Sequence, residues 1–102
     1  MKATPISVDA DGRVPLQGPL TFATVSRRLA DTAGLFGRHE QLCFDLQAVT
    51  EVDSAALALL VEWLRLGERH GVTVRFAHLP AALRSLAQVS ELDQLEPALA
   101  AP

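Results

Sequence analysis

The feature that most constrains this chain is one unbroken stretch, Leu42 to Gly71, LCFDLQAVTEVDSAALALLVEWLRLGERHG. It opens with Leu42-Cys43-Phe44-Asp45-Leu46, a buried-strand pattern, and turns through Gln47 to Val52. It then meets Asp53-Ser54 and runs as a helix without a breaker until Gly71. A strand that hands a short polar pair to a helix start is a common functional position in α/β proteins. The helix N-terminus there presents unpaired N–H groups and the positive end of a dipole. Asp53 and Ser54 are therefore the first candidates for a functional role. The plainer role for either one is a cap, its side-chain oxygen accepting a free backbone N–H.

The helix can be read by angle, at about 100° per residue. With Ser54 at zero, Ala56, Leu59, Leu60, Trp63, Leu64 and Leu66 gather on the far side, a broad apolar stripe that must pack on a sheet. Ser54, Ala58, Val61, Glu62, Arg65 and Arg69 share the near side. Ala58 and Val61 have no core to enter there, so a flat and partly apolar patch is left open, which suits a partner surface.

Composition narrows the classes further. The chain has 102 residues, 49% of them apolar, enough for one small core, and residues 1–102 are read as a single domain with frayed ends at 1–5 and 97–102. A net charge of −3, with no basic run, gives no reason to expect nucleic acid. The one cysteine, Cys43, lies inside a strand pattern and reads as a buried, inert thiol. No signal peptide is visible. The longest strictly apolar run, Ala55 to Val61, is too short to span a bilayer, so a cytosolic domain without direct membrane insertion is expected.

In chain order, Ile6–Val8 and Val14–Leu16 read as short strands joined through Asp11-Gly12, and Gly18-Pro19 as a break. A helix starting near Thr21 would bury Phe22, Val25, Leu29, Ala33 and Phe36 and end at Gly37. After the central helix, Gly71 is a good C-cap residue and Val72–Ala77 alternates as a half-exposed strand. Pro80 sits just inside a helix whose inner face is Leu83, Leu86, Ala87 and Val89, and Leu92, Leu95 and Leu99 suggest a last turn or two. Strands interleaved with helices predict an α/β fold, a mixed sheet of about four to five strands with packed helices.

Catalysis finds little support. His39, His70 and His78 lack metal-ligand spacing, and His78 has no acidic or cysteine neighbour in its own strand. There is no phosphate loop and no nucleophile elbow. Asp45 and Asp53 are separated by a loop, and Ser54 has no evident base. No enzyme, no cofactor and no metal is expected.

The block Val49-Thr50-Glu51-Val52-Asp53-Ser54-Ala55-Ala56-Leu57-Ala58-Leu59-Leu60 resembles the signature of the STAS domain family. In that family a Ser or Thr directly after an Asp begins the central helix. The match is loose over roughly residues 14–51 and finer from Val52 to about residue 96, through the helix start and Leu79, Leu83, Leu86 and Leu92. That second part resembles the MlaB-like branch. Two positions depart from the pattern: Ala56 stands where the family usually has Gly, and Ser54 where this branch often has Thr. The resemblance implies a STAS-like fold. It also implies a non-enzymatic cytosolic subunit that binds the ATPase of a phospholipid-transporting ABC complex, which maintains outer-membrane lipid asymmetry. Ser54, Ala58, Val61, Glu62 and Arg65 would make the contact and Asp53 would hold the turn. The alternative it implies is an anti-sigma-factor antagonist whose partner, a serine kinase, phosphorylates Ser54.

Overall fold

The computed structural model describes residues 8–9 and 11–89. Three strands, β1 (Arg13–Leu20), β2 (Gln41–Val52) and β3 (Thr73–Ala77), alternate with helices α1 (Val25–Thr32), α2 (Ser54–His70) and α3 (Ala81–Val89). A single 3-10 segment, Ala33–Gly37, follows α1. The sheet order is β1-β2-β3 and both pairings are parallel. Each strand-to-strand crossover carries a helix, as a parallel sheet requires.

The α/β architecture is as expected, but the sheet of the described residues has three strands, all parallel. The turn at Asp11-Gly12 forms, with Gly12 N–H donating to Asp9 O at 3.0 Å. It leads into a parallel strand instead of closing a hairpin. Val8 is not in a strand, and Ile6 and Ser7 lie outside the described residues, as do Leu92, Leu95 and Leu99. Gly18-Pro19 does not break β1. At the edge of the sheet formed by the described residues β1 tolerates the proline, which has no N–H to give, and a register shift falls between Gly18 and Pro19. β2 likewise runs past Leu46 to Val52, absorbing extra residues at the shifts opposite Pro15/Gln17 and Gly18/Pro19. The two irregularities explain why its second half does not alternate like a strand.

The core lies between the sheet and α2. Phe44 and Trp63 stack at 3.9 Å between ring centroids, and Phe36 and Phe76 flank them. The Trp63 indole N–H donates to Thr32 Oγ1 at 2.8 Å, and the Thr32 hydroxyl donates to Arg28 O at 2.8 Å. The one polar atom of the central aromatic is thus satisfied by α1. Ala56, Leu59, Leu60 and Trp63 are buried as the angular count predicts, with Leu64 and Leu66 partly buried against them. Leu57, which that count leaves off the stripe, is buried too. Gly67 lets α2 approach β3: a Cβ there would stand 2.7 Å from Val72 O and from a Val74 methyl. Gly71 closes the helix in the left-handed conformation at φ 70°.

Two helix starts differ from expectation. α1 begins at Val25, not near Thr21, so Phe22 is left 86% exposed, and Phe36 enters the core from the 3-10 segment. Pro80 precedes α3, its carbonyl accepting from the Leu83 and Arg84 N–H groups, and Leu83 is fully buried among the helix's described side chains. The side chains of Ala87 and Val89 lie outside the description.

Candidate functional site

Leu20 and Val52, the last residues of β1 and β2, are register partners. The chain therefore leaves both strands at the same edge of the sheet, and the Thr21–Thr24 turn comes to lie beside Asp53. Asp53 is extended (φ −141°, ψ −170°) and uses both carboxylate oxygens. Oδ1 accepts the Ala55 N–H at 2.9 Å, and Oδ2 accepts the Phe22 N–H at 3.0 Å. Asp53 is thus the N-cap of α2 and also the tie between α2 and the turn after β1. Thr24 fastens the turn from its other side: its hydroxyl accepts from Thr21 N–H at 3.0 Å and donates to Pro19 O at 2.9 Å.

With the cap supplied by Asp53, Ser54 is left as the first helical residue, exposed to solvent. Ala58 and Arg65 continue the exposed strip along α2, and Val61 and Glu62 are half-buried at its sides. A shallow, mainly apolar hollow of about 260 Å³ separates the strip from α1, bounded by Val25, Leu29, Ala55, Ala58 and Glu62. A second, of about 300 Å³, lies on the other flank between Val61, Leu64, Arg65 and Glu68. The five positions singled out in the sequence therefore form one ridge between two hollows. Phe22, read from the sequence as a core residue of α1, stands at the head of this edge. It is the exposed large hydrophobic of the described residues. The available signal was Thr24, a second residue able to start a helix, three positions after Thr21.

A different cluster occupies the sheet face opposite the core. Asp45 alternates with the inward-facing Phe44 and Leu46, is 8% exposed, and gathers three donors. Arg13 Nη2 lies 2.6 Å from Oδ2, His78 Nδ1 lies 3.0 Å from Oδ1, and the Gln47 N–H donates to Oδ1 at 3.0 Å. Burial pushes the Asp45 pKa up, but the Gln47 N–H, His78 and Arg13 outweigh it and hold the carboxyl below its ordinary value. The hydrogen bond and charge of Asp45 raise the Arg13 pKa in turn. Cys43, expected to be buried, is half-buried because it shares the outer face of β2 with Asp45, and the burial it has raises its thiol pKa. His78, without an acidic neighbour in its own strand, finds one on β2 because Asp45 pairs with Ala77 in the sheet register. Asp45 and Asp53 are not brought together: one is held by two side chains and one backbone amide, the other by backbone amides alone. Among the described residues no group of three or more His, Cys, Asp or Glu side chains is placed to hold a metal ion. No described helix is long and apolar enough to cross a membrane.

The fold has known counterparts. The anti-sigma factor antagonist SpoIIAA in its unphosphorylated form superposes with a TM-score of 0.67 at 15% identity, over 92% of this chain and 98% of SpoIIAA. A sulfate transporter family protein from Wolinella succinogenes gives the same TM-score and identity, over 87% of this chain and 75% of that one. At such identities the likeness is one of fold. No curated protein matches in sequence. The family model described as "Mlab, STAS domain" matches residues 5–99, nearly the whole chain, and the chain belongs to that STAS domain family.

Proposed function

We propose that this chain is a non-enzymatic cytoplasmic STAS subunit that docks on the ATPase of a phospholipid-transporting ABC complex, the kind that maintains outer-membrane lipid asymmetry. Through that partner it sits at the inner face of the inner membrane. The observation that carries the reading is the exposed ridge Ser54–Ala58–Val61–Glu62–Arg65, flanked by two shallow hollows. Small and apolar groups at its centre admit close approach, and side chains from a partner can fill the hollows. Glu62 and Arg65 at the sides supply orientation more than affinity. The family model's description, "Mlab, STAS domain", supports the MlaB-like branch, and the partner is the one that resemblance implies. On this reading the chain contributes contacts, not chemistry, and residues 1–102 act as one domain.

Ala58→Glu and Val61→Glu test it. Each places an uncompensated carboxylate in the contact, where its desolvation is strongly unfavourable, while in the free domain Ala58→Glu remains in water. Ala58→Glu should keep the wild-type melting temperature and lose co-purification with the ATPase. Undiminished capture by both variants would rule the surface out.

A second reading has one observation in its favour. Ser54 is exposed and uninvolved in the cap, so it is accessible to a serine kinase in the way an anti-sigma-factor antagonist requires. Stoichiometric phosphate on Ser54, with normal membrane integrity in a deletion strain, would decide for that reading.

A further inference from the structure

One carboxylate at the α2 edge holds two elements that are 31 residues apart in sequence, with one oxygen for each. The bond to Ala55 is partly buried and lies inside the helix start. The bond to Phe22 is exposed, and the residue it holds carries the exposed aromatic ring. The other hydrogen bonds of the turn, Thr21 N–H to Thr24 Oγ1, Thr24 N–H to Thr21 O, Val25 N–H to Thr21 O and Thr24 Oγ1 to Pro19 O, stay within β1, its loop and the start of α1, and none reaches α2. Asp53 Oδ2 is thus the hydrogen-bonded link between the Phe22 backbone and α2.

We propose that Asp53 is a positioning residue that makes Phe22 part of the α2 contact surface, and that negative charge added at Ser54 withdraws Phe22 from it. The role given to Phe22 rests on the partner-binding reading above; the coupling through Asp53 is a property of the free domain. An anionic group on Ser54 stands beside the Asp53 carboxylate and competes for the same unpaired N–H groups of the first turn. Two like charges on adjacent residues favour rotation of one away from the other. The Ala55 bond is reinforced by the helix dipole and partly shielded from water. The Phe22 bond has neither support and breaks first. The turn keeps its internal bonds but loses its tie to α2, and the ring is no longer held in one place at the head of the ridge. An aromatic side chain is an effective interface anchor only when presented in one orientation, because ordering it on binding costs affinity.

Amide hydrogen exchange of the full chain, followed residue by residue by NMR, tests the coupling without a partner. Relative to wild type, Ser54→Glu should speed exchange of the Phe22 amide about tenfold or more, while the Thr24 amide, bonded within the turn, is unchanged. Ser54→Gln, of equal size and no charge, should stay within about twofold of wild type. A Phe22 amide as slow in Ser54→Glu as in wild type overturns the proposal, and so does equal acceleration in Ser54→Gln, which would make bulk the cause. Phe22→Ser should weaken ATPase binding about tenfold at unchanged melting temperature, and wild-type affinity in that variant would remove Phe22 from the surface. If the wild-type chain captured no ATPase, the partner reading would fail while the exchange rates still decided the coupling.

Discussion

Asp45 and Asp53 sit eight residues apart on and just beyond the same strand, and the fold uses them in opposite ways. Asp45 is nearly buried and held mainly by side chains: Arg13 from the start of β1 and His78, the residue after β3, close on it across the sheet. Asp53 is half-buried and satisfied by backbone amides, one from α2 and one from the turn after β1. Side-chain partners brought in from both flanking strands lock a structure in place. Amide partners at an open edge hold a surface in position and leave it sensitive to the next charge that arrives. The difference separates a carboxylate that ties the sheet together from one that ties a helix start to a neighbouring turn, although both are aspartates bridging distant segments.

The contrast should be visible first in stability. Asp45→Ala removes three hydrogen bonds to a charged group and leaves Arg13 and His78 without their anion. A cost of about 2 kcal/mol is expected, which for a chain of this size lowers the melting temperature by roughly 10 °C. Asp53→Ala should cost about 1 kcal/mol, the usual value of a lost N-cap. Thermal melts that reverse this order would break the distinction between the two sites.

Acid should act on the Asp45 site in a defined direction. Its carboxyl is held below the ordinary value, so its stabilising contribution is complete above the unfolded-state pKa near 3.8 and is lost as pH falls through the lower folded-state value. The stability gap between wild type and Asp45→Asn should therefore be constant above about pH 5 and shrink toward pH 2. Denaturant titrations at a series of pH values check this, and a gap that widens on acidification would contradict the assignment.

His78, the residue after β3, sharpens the same comparison. It adopts φ 57°, a left-handed backbone that costs a non-glycine residue about 1 kcal/mol, while its ring makes the Asp45 contact. His78→Ala loses the contact and keeps the strain; His78→Gly loses the contact and relieves it. His78→Gly should thus be the more stable variant by about 1 kcal/mol, less what glycine adds to the entropy of the unfolded chain. Equal melting temperatures would mean that the strain is negligible.

The smallest effect is expected at Ser54. Because Asp53 supplies the cap, Ser54→Ala should change stability by less than about 0.5 kcal/mol and retain ATPase binding. Detergent sensitivity of cells carrying Ser54→Ala, compared with wild type, checks the functional half. Misregulated transcription with intact membranes would favour the antagonist reading.

The sequence by itself determined the central strand–helix unit, the side of α2 that enters the core and the ridge that does not. Those follow from local periodicity, because a helix of 17 residues with a clear apolar stripe leaves one way to bury it. The α/β class followed from the alternation of elements, and Gly71 as a helix stop from its freedom at positive φ. Only the tertiary structure decided the rest. β2 reads as a strand that ends at Leu46 because its second half is irregular, and its pairing with β1 is what carries it to Val52. Phe22 looks like a core residue until α1 is seen to start at Val25. The partners of Asp45 lie 32 and 33 residues away, and no spacing rule in one dimension reports a contact made through sheet register. The choice of Asp53 over Ser54 as cap is likewise tertiary. Both residue types can cap a helix, and the backbone decides which of them stands outside it, where its oxygens can reach the Ala55 amide and the Phe22 amide at once.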